Sequence, residues 1–158
     1  MTEPEIVAPT HDDIVELVRT MRQADIDEIW AASMTSPYDA LVRSVKVSRD
    51  TYAGKMDDEV VCIFGVAPVT VLGTIGIPWM LASDLLPQHS RAFLRANRPY
   101  IHEMRNKYSL LINFVDARNT DSVRWLRWLG FDVARFPTTY GPYGLPFFRF
   151  EMKRTDYV

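Results

Sequence analysis

The sequence predicts a mixed α/β domain built on a largely antiparallel sheet, with helices on both faces. Three observations carry that expectation. Apolar residues recur at helical spacing through the first fifty positions. The middle of the chain is a series of β-rich runs whose connections are too short for crossover helices. Near the end, one continuous apolar run at residues 110–115 is flanked by a helical segment on either side, and two further strands follow. With 158 residues, the chain reads as a single domain over 1–158, long enough to bury a core without staples.

Residues 5–9 read as an opening strand stopped by Pro9. Thr10 can cap a helix, with Asp12 and Asp13 in the first turn where the helix dipole favours acids, and Ile14, Leu17, Val18 and Met21 form its apolar side. A second helix over 24–32 places Ile26, Ile29 and Trp30 together. Pro37 interrupts, and 40–48 form a third short helix around Leu41, Val45 and Val47. Asp57-Asp58 is a turn between strands at 51–56 and 59–66, and the meander continues through 69–72 and 73–81. A longer helix runs from Pro87 to Lys107, with Pro99 expected to kink or restart it. After the 110–115 strand, a helix begins at Asn119 or Thr120 and ends at Gly130, a suitable C-terminal cap. Strands at 131–136 and 147–152, joined by the turn-rich 141–146, complete the order.

Composition narrows the function classes. Hydrophobic residues at 47% and charged residues at 24% exclude a disordered chain. The one cysteine, Cys62, cannot form an internal disulfide, which fits a reducing compartment such as the cytoplasm; mid-strand in an apolar run, it reads as an inert core thiol. No apolar run reaches the ~18 residues of a membrane span, and the acidic start lacks a signal pattern, so neither a membrane nor a leader is expected. His11, His89 and His102 have no ligand spacing with each other or with Cys62, so no metal site is expected. The net charge of −2 conceals a gradient: residues 1–28 carry eight acids against two bases, and residues 88–135 nine bases against four acids. That asymmetry suits an anionic ligand, while a broad nucleic-acid face would make the whole domain more basic.

The stretch from Asn119 through Ser122, Val123 and Leu126 to Gly130-Phe131 resembles the last motif of the GNAT superfamily of acyl-CoA-dependent N-acetyltransferases, in which an asparagine opens a helix that a Gly-Phe pair closes. The order of elements resembles that superfamily over nearly the whole chain. The resemblance implies acetyl-CoA or CoA as cofactor and an amine-bearing small molecule or protein as acceptor. It implies a pantetheine arm held along residues 75–81, at Met80 and Leu81, and phosphates met by Gln88, His89, Ser90 and Arg91, with Asn119 also on the cofactor. Asp116 and Glu103 are the candidate bases for the substrate amine. On the residues alone, Asn119 is also simply a helix cap.

Two departures weaken the catalytic expectation. Residues 86–91 contain no glycine where the superfamily cradles the pyrophosphate on backbone amides, and Leu126 stands where many members carry a proton-donating tyrosine. More narrowly, blocks at 61–68, 75–81, 91–95, 116–131 and 141–150 resemble a GNAT-like family of small proteins from short-tailed bacteriophages, of internal virion protein type. That implies a phage-encoded protein, in the host cytoplasm or the virion, and an alternative function: a non-catalytic virion or host-interaction protein whose partners are other virion proteins or a host protein. The two functions differ in whether the gap between the fourth and fifth strands is open or is plugged by Trp79 or Phe114.

Overall fold

The computed structural model describes residues 3–154; residues 1–2 and 155–158 of the expected domain lie outside the described residues. The chain opens with β1 (Glu5–Val7), α1 (His11–Thr20), α2 (Gln23–Ser33) and α3 (Pro37–Val47). It continues through β2 (Asp50–Met56), β3 (Glu59–Pro68), β4 (Ile75–Ala82), the single turn α4 (Leu85–Gln88) and α5 (Ser90–Lys107). It closes with β5 (Leu110–Asp116), α6 (Thr120–Leu129), β6 (Asp132–Val133), β7 (Thr138–Tyr140) and β8 (Leu145–Lys153).

Local chemistry sets the ends of these elements. The Thr10 hydroxyl accepts the Asp13 N–H while the Asp13 carboxylate accepts the Thr10 N–H at 2.9 Å, a capping box that starts α1. Pro37 does not interrupt α3 but begins it, behind the Ser36 cap, where a missing N–H costs nothing. Asp57 and Asp58 both take positive φ (51° and 64°), the two-residue turn that matches the twist of the β2–β3 hairpin.

The strands form one sheet in the order β1-β2-β3-β4-β5-β8-β6, with β7 on β8. All pairs are antiparallel except β4–β5. Helices α1 to α3 cover one face, over Leu17, Leu41, Ile63 and Leu81. Helices α5 and α6 cover the other, over Phe64, Phe93, Met104, Leu111 and Phe150.

The parallel pair holds for two rungs, Ile75 with Leu110 and Gly76 with Leu111, and then opens. Pro78 supplies a reason. Its carbonyl points toward β5, where it accepts the Asn113 side-chain amide at 2.8 Å. A strand residue aims its N–H and C=O the same way, so the N–H that proline lacks is the one that would have continued the ladder. Beyond it β4 and β5 diverge as a V.

Several expectations need correction. Residues 69–72 are a loop, not a strand: the Val69 N–H donates to Ile75 O and the Gly73 N–H to Thr70 O, closing a hairpin that leaves Val71 and Leu72 exposed. The helix expected from Pro87 is split, because His89 leaves helical geometry between α4 and α5. Helix α5 then runs without a restart through Pro99, which sits on its exposed side. The strand expected over 131–136 is only Asp132–Val133, and β7 was not anticipated. Trp30 is 49% exposed rather than packed with Ile29.

Candidate active site

A cavity of about 260 Å³ passes through the sheet at the V. On the α5/α6 side it is walled by Met80, Asn97, Ile101, Trp125 and Leu126. On the α2/α3 side it is walled by Glu28, Ile29, Trp79, Phe114 and Tyr140. Trp79 and Phe114 therefore line the opening rather than plug it. The Trp79 indole is held aside by donating to Ser48 Oγ at 2.8 Å, and Phe114 by stacking on Tyr140 at 4.5 Å.

Strand alternation gives the V its polar edge. Pro78 and Ala82 both direct backbone groups toward β5, so Met80 between them does as well. The groups of Ala82 are taken: its N–H donates to Asp25 Oδ2 at 2.9 Å, and its carbonyl accepts the Arg22 N–H at 2.9 Å. Met80 is thus the strand position whose N–H and C=O face the cavity.

Opposite it stands Glu28. Its Oε1 accepts the backbone N–H of Asp116 at 2.9 Å and the Asn119 side-chain amide at 3.3 Å. The residue is half-buried because one side looks into the cavity, while the protein around it strips away most bulk water. That desolvation, with the nearby negative charge of Asp25, pushes the carboxyl up to about 8. Glu28 is the one carboxyl among the described residues that line the cavity, and the Tyr140 phenol lines it as well.

A buried network fixes it there. The Arg22 guanidinium donates to Asp25 Oδ1 at 3.0 Å and to Asn119 Oδ1 at 3.3 Å, and lies 4.7 Å from the centre of the Trp125 ring. Asn119 in turn donates to Asp25 at 3.1 Å. Burial pushes the Asp25 carboxyl up, although Arg22, the Ala82 N–H and Asn119 pull it back.

The expected site residues are not all brought together. Met80 and Leu81 line the cavity. Asn119 is buried and makes no side-chain cap bond; the expectation of a simple helix cap is corrected, because its amide is spent on Arg22, Asp25 and Glu28. Asp116 is buried with both oxygens gripped by the Arg118 guanidinium, at 2.7 to 3.2 Å, so what it presents to Glu28 is its backbone N–H. Glu103 is exposed on α5, 3.5 Å from Lys107, and does not line the cavity. Gln88, His89, Ser90 and Arg91 sit at the α4–α5 junction, beyond the cavity wall, with all but Ser90 exposed. Cys62 is buried, its thiol pushed up to about 12 by desolvation.

Sequence reasoning missed Glu28. The available signal was its spacing: Asp25, Glu28 and Ile29 fall on one helical face, so that two acids share the side that Ile29 buries.

No family model and no curated protein sequence matches the chain. Solved structures do. A ribosomal-protein-alanine N-acetyltransferase from Brucella melitensis aligns with a TM-score of 0.69 at 16% identity, over 94% of this chain and 99% of that one. An N-acetyltransferase from Staphylococcus aureus aligns at 0.71 and 13%, over 97% and 99%. A spermidine N-acetyltransferase from Vibrio cholerae, solved with CoA and spermine, aligns at 0.65 and 11%, over 96% of each chain. The protein therefore has the GNAT fold, that of the N-acetyltransferases.

Proposed function

We propose that the protein is an acyl-CoA-dependent N-acetyltransferase acting on an amine-bearing acceptor. The observation that supports this best is the cavity through the sheet, with a free strand edge at Met80 on one wall and the Glu28 carboxyl on the other. The thioester end of acetyl-CoA fits the residues present, because an open strand edge beside an apolar chamber suits an acyl group and the amide-bearing arm behind it. The phosphate end would meet the start of α5, where Ser90 opens the helix and His89 and Arg91 stand exposed. With no glycine in residues 86–91, that contact relies on side chains more than on a backbone cradle.

Acetyl-CoA, when bound, supplies an acyl carbon activated as a thioester. The Met80 N–H, on the open edge of β4, would be the donor available to an acyl oxygen on which negative charge builds during attack by the amine. Glu28 would take the proton that the amine sheds as its nitrogen bonds to the acyl carbon; the carbon–sulfur bond would break in the same exchange, the CoA thiolate leaving and taking its proton from Glu28 or from solvent, and a carboxyl poised near 8 suits that task. Arg22, Asp25 and Asn119 are positioning residues that hold Glu28 and the end of β4. Leu126 lines the same cavity and cannot donate a proton, so the side chains there that can exchange one with the reacting groups are the Glu28 carboxyl and the Tyr140 phenol.

Thermal unfolding with acetyl-CoA tests this. At a hundredfold excess over Kd, mass action adds about 2.7 kcal/mol, a rise in Tm on the order of 5–10 °C for a domain of this size. No shift with millimolar acetyl-CoA or CoA overturns the proposal.

One observation favours a second reading, a non-catalytic protein on the same fold with phage virion or host partners. Ala82, next along the edge from Met80, has both backbone groups consumed by Arg22 and Asp25, which shortens the strand edge open to a cofactor. Recovery of the tagged protein in purified phage particles, without an acetyl-CoA shift, would select it.

A further inference from the structure

The acceptor end of the cavity has a composition that restricts which amines enter. The α5/α6 side is the side of the α5 start, so acyl donor and acceptor would meet across the sheet, the acceptor entering from the α2/α3 face. Aromatic rings dominate that entrance: Phe114 stacks on Tyr140 with an interplanar angle of 18°, and Tyr140 packs on Phe147 at 4.9 Å. Trp79 and Ile29 continue the wall, and its polar groups on the α2/α3 face besides Glu28 include the serines Ser33 and Ser44. The β7–β8 hairpin is seated firmly, since Gly141 lies so close to Ala31 O on α2 that a Cβ would stand 2.2 Å from it. Against these rings the chamber offers a single carboxyl, Glu28.

We infer that the acceptor is a monoamine carried on an apolar, ring-bearing body, its ammonium placed at Glu28 and its ring among Phe114, Tyr140 and Trp79. One carboxyl matches one cation. A polyamine would leave its remaining charges against rings, aliphatic groups and serine hydroxyls with no acid to meet them, and such neutral groups offset only part of the desolvation cost. The body is matched by rings whose geometry already favours stacking. The same chemistry is presented by a free arylalkylamine and by a peptide whose first residue is aromatic.

This inference rests on the acyltransferase reading, so the test measures the two separately. Binding of 2-phenylethylamine, spermidine and a phenylalanine-initiated tripeptide amide is followed by calorimetry at pH 8 without cofactor, and acetyl-CoA binding is titrated on its own. Phenylethylamine should bind at least tenfold more tightly than spermidine. Glu28→Gln should weaken the amine at least tenfold while leaving neutral 2-phenylethanol unchanged. Tyr140→Ala, at a partly exposed residue, should weaken both ring ligands and leave acetyl-CoA binding unchanged. Equal or tighter binding of spermidine overturns the inference, as does failure of both ring-bearing amines to bind. The tripeptide binding tightly where phenylethylamine does not assigns the ring and amine to a protein N-terminus; the reverse assigns them to a free amine. Amine binding without acetyl-CoA binding overturns the acyltransferase reading and leaves the amine site standing.

Discussion

Replacing Glu28 by glutamine should reshape the pH dependence of stability in a calculable way. In the folded protein the carboxyl is held near 8, against an ordinary 4.5. The folded state therefore keeps a proton that the unfolded chain has released, and stability falls as pH rises from about 4.5 to about 8. Each unit of difference corresponds to 1.36 kcal/mol, which gives a loss of about 2 kcal/mol by pH 6 and about 4 kcal/mol by pH 8, levelling at about 5 kcal/mol by pH 9. Glutamine preserves the acceptor for the Asp116 N–H and removes the titration. Urea unfolding of both proteins at pH 5, 6, 7, 8 and 9, compared through midpoints at equal m-values, reads this group together with its coupling to Asp25, because titrations elsewhere cancel in the difference. The wild type should lose ground to the variant progressively up to pH 8. Two parallel curves across that window would refute the desolvated carboxyl and, with it, the assignment of a base poised near 8.

Arg22→Ala should cost on the order of 3–5 kcal/mol in urea unfolding, since Asp25 and Asn119 stay buried without their partner; Arg22→Lys should recover less than half, because a point charge cannot reach both while lying on Trp125. Gly141→Ala should lower Tm by several degrees and weaken amine binding with little effect on acetyl-CoA, because φ is +77° there and the new Cβ meets the α2 backbone. Cys62 should resist Ellman's reagent in the native protein and react once urea unfolds it, as its thiol is buried and pushed up to about 12.

The helices and hairpins were legible because each carries its own local signal: the Thr10 cap, the Asp57-Asp58 turn, Gly130 in the left-handed region at φ 103°. Residues 69–72 misled because the β-branched Val69, Thr70 and Val71 favour strands, while hydrogen bonds to Thr70 and Ile75 made the segment a turn. Asn119 was singled out, but the partners of its amide were not legible, because they lie more than ninety positions away on α2. Glu28 was hidden for the same reason, being desolvated by residues that only the fold brings to it. Pro78 was visible as punctuation, yet its meaning depends on which neighbour its missing N–H would have faced.

The two rungs that join β4 to β5 are also the seam between two antiparallel ladders that share the core under α5 and α6. β1 to β4 form one continuous antiparallel ladder, and β5, β8, β7 and β6 form another. Across the seam run the Asn113–Pro78 bond and the polar tie from α2 to the start of α6. Native-state hydrogen exchange should therefore show two cooperative blocks of amides, with the two-rung seam opening before either block unfolds. A ligand bridging the V would stitch the blocks together, slowing exchange at amides far from any atom it touches.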